Sequence, residues 1–151
     1  MVFFKRIVFT IIKGNPSKIT YPILLLLGTL SSQDLEDLSF GDDASLEIAT
    51  WNIELFPKND QTTVDYISDI ISLMDLDILA IQEVDDTVMF SQMLDELPLY
   101  SGYYESSWFA GLAYIYKTES IEINDIYEIY TTSSYCNTFP RSTMLLTLIH
   151  I

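Results

Sequence analysis

Two short stretches of this chain end on polar residues whose types suit metal chemistry. Residues 49–56 (ATWNIELF) carry Asn52, and residues 81–86 (IQEVDD) carry Glu83. Each follows a run with strand character. Leu46–Trp51 alternates and is β-branched, and Ile78–Gln82 is the short apolar run expected of a strand buried on both faces. If the two strands are parallel neighbours joined by a helix, both side chains emerge at one carboxyl edge of a sheet. In open α/β sheets that edge is where ligands bind. A carboxamide beside a carboxylate presents hard donors, which suit Mg²⁺ or Mn²⁺, with Ca²⁺ as the alternative. One carboxylate is not a complete cage, but Mg²⁺ keeps waters and takes phosphate oxygens, so a sparse site is sufficient. The plain alternatives are an Asx turn at Asn52 and a solvated loop acid at Glu83. Their placement at two adjacent strand ends favours a site.

The intervening elements follow from periodicity. Asn52–Gln61 reads as a loop with Pro57 and a turn at Lys58-Asn59-Asp60. Thr62 or Thr63 can cap a helix along which Val64, Ile67, Ile70, Ile71 and Met74 recur at helical spacing, ended by Asp75-Leu76-Asp77. A second helix is expected over about Asp86–Leu97, with Asp85 and Asp86 as its acidic start rather than as ligands. Tyr100–Ser107 reads as an aromatic, small-residue loop. Leu112–Tyr116, Ile121–Tyr130 (broken near Asn124-Asp125) and Met144–Ile151 read as strands. The order β-α-β-α-β-β-β implies a mixed sheet with helices packed on it, an α/β (α+β) class. Trp51, Tyr100, Tyr103, Tyr104, Trp108 and Phe109 are assigned to packing.

The order and spacing of TWNI, a helix, and ILAIQEVD resembles the start of the endonuclease/exonuclease/phosphatase superfamily. Gly111–Lys117 (GLAYIYK) is similar to the strand past the family's metal-site loop. Phe139–Met144 (FPRSTM) is similar to the F-x-R-x-P segment of secreted nuclease-like members. The resemblance covers Leu46 to Ile151, about the first half of such a domain. It implies a DNase I-like four-layer α/β sandwich, of which this chain would hold the first half. It also implies that Glu83 ligates a divalent ion, that Asn52 lies in the same metal site and orients bound groups, and that Arg141 contacts a substrate phosphate. A guanidinium suits that role because it donates two parallel hydrogen bonds. The family's catalytic His, its G-D-x-N segment and its terminal S-D-H are not in this sequence. His150 lies only nine residues beyond Arg141, inside the strand itself, and is assigned a structural role. The chain stops within an apolar strand-like run, as expected of a domain cut short. Alone it is expected not to turn over.

Charge narrows the partners. The chain of 151 residues has a formal net charge of −15, and all 22 acids lie between Asp34 and Glu128. From Gln33 onward only Lys58, Lys117 and Arg141 are cationic. A surface that acidic repels a phosphate backbone, so a nucleic-acid substrate must be held locally and with the help of a metal. The candidate substrates are nucleic acid, a phosphorylated small molecule or a lipid head group. The first 18 residues are basic and acid-free. Ile19–Leu30 is an apolar run too short to span a bilayer, and Thr29-Leu30-Ser31 offers small residues for cleavage. Residues 1–31 are therefore expected to be an export signal and 32–45 an acidic linker, with a secreted or periplasmic product. Cys136 is the sole cysteine and forms no disulfide within this chain. The competing reading is a non-catalytic acidic binding module. The absence of a D-x-D-x-D-G loop counts against a dedicated calcium site in such a module.

Overall fold

A computed structural model describes residues 7–13, 39, 44–105, 111–131 and 143–151 of the protein. The elements run β1 (Ile7–Lys13), β2 (Ser45–Phe56), α1 (Asp60–Met74), β3 (Ile78–Val84), α2 (Thr87–Asp95), β4 (Tyr100–Glu105), β5 (Gly111–Lys117), β6 (Ile121–Ile129) and β7 (Thr143–His150). The first five strands in the sequence form one sheet in the order β1-β2-β3-β5-β4, and β6 pairs with β7 in a second, two-stranded sheet. β2 and β3 are parallel, while the pairs β1–β2, β3–β5 and β4–β5 are antiparallel. The large sheet is therefore mixed, as the element order implies.

One face of that sheet is sealed by the helices. Alternation along β2 directs Ala49, Trp51 and Ile53 inward, and Leu79, Ile81, Ala113 and Ile115 join them from β3 and β5. α1 contributes Val64, Ile67, Ile70, Ile71 and Met74, the set its helical period predicts. Trp51 is 2% exposed and acts as packing. Each such large side chain, fully buried, is worth roughly 1.5–3 kcal/mol.

α1 starts earlier than either threonine. Asn59 is its N-cap without a side-chain cap bond, and Thr63 lies inside the first turns, where its Oγ1 accepts from the Asn59 N–H at 3.0 Å. The stop is where the sequence places it. Asp75 adopts a left-handed conformation and its N–H bonds back to the Ile71 carbonyl. Asp86 caps α2 through its carboxylate, which accepts from Val88 N at 2.9 Å and Met89 N at 3.0 Å. That caps the first-turn N–H groups, as expected of a helix-starting acid.

Two expectations are corrected. The loop expected at Tyr100–Ser107 is a strand over Tyr100–Glu105, paired with β5. Its small residues suggest a loop, yet Gly102 is what lets the strand lie against Leu94 of α2. Its tyrosines supply cross-strand and core contacts, with Tyr103 opposite Tyr114 and Tyr104 tilted against Phe90 at 6.0 Å between ring centroids. Likewise, the loop expected from Asn52 is strand as far as Phe56.

β1 falls in the stretch read as the basic part of an export signal, and its backbone pairs with β2 from Ile7–Trp51 to Lys13–Ser45. β6 carries an irregularity between Ile123 and Asp125, where the sequence suggests a break. The β6–β7 hairpin is tied to the large sheet by the Tyr114 hydroxyl, which donates to the Met144 carbonyl at 3.0 Å, and by burial of Ile121 and Met144. Among the described residues no helix is long and apolar enough to cross a membrane. Arg141, Cys136, Trp108, Phe109, the apolar run Ile19–Leu30, the cleavage motif and nearly all of the acidic linker lie outside the described residues.

Candidate functional site

The parallel pair β2–β3 runs in register from Ile48–Ile78 to Asn52–Gln82, then jumps to Phe56–Val84. Three residues of β2 therefore stand against one residue of β3. On its other side, β3 is in register with β5 at Gln82–Leu112 and again at Val84–Gly111, so β3 also bulges at Glu83. The two irregularities coincide at the carboxyl edge of the sheet. Bulges of this kind re-aim a side chain and are common beside active sites.

The bulges determine which residues face inward. Strict alternation after Leu79 and Ile81 would turn Glu83 into the helix-covered core. Instead Val84 takes that place, fully buried, opposite Phe56, which is also fully buried. Glu83 is left half-buried with φ 68°, in a left-handed conformation. Glu54 and Leu55 likewise have φ of 50° and 57°. Non-glycine residues rarely adopt such angles, which cost of order 1–3 kcal/mol each and cluster where function over-determines the backbone.

The outcome is a direct contact between the two residues marked by the sequence. The Asn52 carboxamide donates from Nδ2 to Glu83 Oε1 at 3.0 Å, and its Oδ1 accepts from the Glu54 N–H at 3.0 Å. Both ends of the amide are thus engaged, so Asn52 holds the Glu83 carboxylate in one orientation. The loops beyond are tied together as well, because the Phe56 carbonyl accepts from the N–H groups of Asp85 (3.0 Å) and Asp86 (3.1 Å). One step back along the strands, Gln82 Nε2 donates to Thr50 Oγ1 at 2.6 Å and to the Ala80 carbonyl at 3.1 Å.

Among the described residues no group of three His, Cys, Asp or Glu side chains is placed to cage a metal. The donor chemistry nonetheless fits a hard divalent ion held by one oriented carboxylate, with water and substrate phosphate completing its sphere. Glu83 would be the ligand and Asn52 its support, the usual relation between a ligand and the group that orients it.

Sequence reasoning found Asn52 and Glu83 but not the Thr50–Gln82 bond or the ion pair between Lys58 Nζ and Glu54 Oε1, 3.2 Å apart. Alternation signals the first, since Thr50, Asn52 and Gln82 share a face. The spacing of four between Glu54 and Lys58 is no signal for the second, because the segment is strand and loop rather than helix. His150 lies at the far end of β7, opposite Ile121, and its charge is felt by Asp77 at the start of β3. It is therefore at the other edge of the sheet from Glu83, in keeping with a structural role. Arg141 lies outside the described residues.

Comparison with known proteins bears on the same segment. The Endonuclease/Exonuclease/phosphatase family profile matches residues 49–146, which include Asn52 and Glu83. No curated protein is similar to the chain at a significant level. Among solved structures it is similar to a humanized D. rerio TDP2 carrying 14 mutations, with TM-score 0.57 and 14% identity over 70% of this chain and 42% of that one. D. rerio TDP2 complexed with single strand DNA product gives TM-score 0.57 and 15% identity, over 70% and 41% of the two chains. An endonuclease/exonuclease/phosphatase from Bacteroides vulgatus gives 26% identity and TM-score 0.43, over 53% and 34%. The chain thus spans about two fifths of the TDP2 structures, and what it shares with them is the DNase I-like fold, present as a partial domain. With the family's profile covering most of the described core and both marked residues, the chain belongs to the Endonuclease/Exonuclease/phosphatase family.

Proposed function

We propose that this chain supplies the metal-holding side of a secreted, divalent-metal-dependent phosphoesterase that cleaves phosphodiester bonds in a nuclease-like reaction. The observation that carries the reading is the Asn52–Glu83 hydrogen bond at the carboxyl edge of the sheet, formed where β3 bulges at Glu83 directly after the last regular Asn52–Gln82 pair. Glu83 would hold Mg²⁺, with Mn²⁺ or Ca²⁺ as alternatives, and Asn52 keeps its carboxylate from turning. Such an ion, when bound, stabilises charge on the phosphoryl oxygens while water attacks in line. Arg141 would meet a substrate phosphate with its guanidinium fork.

The single strand DNA product held by one similar structure supports a nucleic-acid substrate. The net charge of −15 favours a second reading, a phosphomonoesterase or sphingomyelinase-type member acting on a compact phosphoester, because a long polyanion would be repelled. Export rests on the basic and apolar layout of residues 1–31.

The deciding experiment uses Mn²⁺ as a paramagnetic probe on the ¹⁵N-labelled chain. Broadening centred on the amides of residues 52–54 and 82–85, abolished by Glu83→Gln, is the expected result. Broadening spread over the acidic surface and unchanged in E83Q would overturn the assignment.

A further inference from the structure

We infer that Lys58 is a substrate-phosphate contact of this site, with Glu54 holding its ammonium in place; the inference rests on reading Asn52 and Glu83 as a phosphoesterase site. A phosphate brought to an acidic surface is favoured by a fixed cation near its site. From Ala44 onward the described residues offer Lys58 and Lys117. Lys117 is committed elsewhere. Its ammonium lies 2.6 Å from Asp75 at the start of the β3 loop, and its N–H donates to the Asp77 carbonyl at 2.9 Å, at the edge opposite Glu83.

Lys58 follows the bulge that carries the site. Its Nζ is 3.2 Å from Glu54 Oε1, and the Glu54 N–H is the donor that fixes Asn52. The loop bearing Lys58 is pinned on both sides. The Phe56 carbonyl accepts from Asp85 and Asp86 beside Glu83, and the Asn59 N–H donates to Thr63 Oγ1 in α1. The Lys58 side chain is 56% exposed, so its ammonium is accessible to a ligand. An exposed ion pair contributes little to stability, which leaves placement of the charge as its consequence. A lysine binds phosphate as a point charge on a long stem and does not need a bidentate geometry.

The test titrates the full chain, in Mg²⁺, with a 5′-phosphorylated thymidine trinucleotide followed by NMR. Lys58→Ala is expected to weaken binding about tenfold, the effect of one charge-assisted contact. It should also reduce the slope of log affinity against log salt by about 0.7. Glu54→Gln breaks the same ion pair but keeps the cation, so it should weaken binding by less than Lys58→Ala does. Unchanged affinity in K58A, or a loss in E54Q equal to that in K58A, overturns the inference. If Mn²⁺ still broadens the Glu83 segment in those samples, the metal reading stands without it. If wild type shows no such Mn²⁺ response, the metal reading falls and this inference falls with it.

Discussion

Asn52 Nδ2 lies 3.0 Å from Glu83 Oε1 across parallel strands, and the same amide is held from behind by the Glu54 N–H. A carboxylate fixed in this way has its orientation set before any ion arrives, so less ordering is needed on binding. Asn52→Ala should therefore weaken Mn²⁺ binding roughly 10- to 100-fold, the usual effect of removing a group that orients a ligand. The fold should survive, because Asn52 is only half-buried. Isothermal titration with Mn²⁺ and a thermal melt on the same sample check both statements. In a chain carrying the complete domain, Glu83→Gln should lower phosphodiester hydrolysis by about a thousandfold, since the ion's charge stabilisation is worth several kcal/mol.

Asp77 joins three parts of the fold. Its carboxylate accepts from the Glu47 N–H of β2 at 2.9 Å and from the Ser120 hydroxyl in the turn before β6, and it is 5% exposed. Burial works to raise its pKa, but the hydrogen bonds from Ser120 and Glu47 and the charge of His150 outweigh that and hold it below the ordinary carboxylate value. A carboxyl depressed in the folded state stabilises the protein above its unfolded pKa, and the contribution is lost as pH falls through the folded one. Asp77→Asn should cost roughly 1–3 kcal/mol near neutrality, because an amide nitrogen would face one of two donors. The gap between wild type and variant should begin to narrow below about pH 4 and go on shrinking as pH falls through the lower folded-state pKa. Urea melts at pH 7, 5 and 3 would read this directly. A constant gap would show that ionisation of Asp77 contributes nothing.

Gly102 is required by packing rather than by backbone angle. A Cβ there would lie 2.6 Å from Leu94 Cδ1 and 2.8 Å from Cδ2. Gly102→Ala should destabilise by about 1 kcal/mol, the overpacking cost offset in part by reduced freedom of the unfolded chain. The penalty should shrink in a Leu94→Ala background. A double-mutant cycle by thermal melting checks it, and strictly additive losses would mean that the clash is not the cause.

Tyr100 buries a hydroxyl that has no hydrogen-bond partner among the described residues. Burial, and then the charges of Asp75 and Asp77, push its pKa well up. Tyr100→Phe should raise stability by up to about 1 kcal/mol, since the ring stays and the orphaned hydroxyl goes. In wild type, stability tied to this group is full below its unfolded pKa of about 10 and declines as pH rises above it. The advantage of Y100F should therefore widen in alkali, measured by melts at pH 8 and pH 11.

The sequence by itself determined the inward face of α1, the strand–helix–strand order of β2, α1 and β3, and the polar residues that end the two strands. Each follows from local periodicity: helical spacing from Val64 to Met74, alternation from Leu46 to Trp51, and polar residues ending two apolar runs. Asp86 was likewise legible as a helix start, because a cap acts on its own next few residues. Tertiary structure decided the rest. Alternation alone would send Glu83 into the core, and only register against both neighbours reveals the bulge that lets Val84 take its place. Tyr100–Glu105 lacks a loop's role because β5 and Leu94 lie beside it, contacts distant in sequence. The Lys58–Glu54 pair acquires meaning only when Phe56 is seen tied to Asp85 and Asp86. Spacing reports which face a residue could occupy, but long-range pairing fixes where a strand slips, and Asn52 meets Glu83 at that slip.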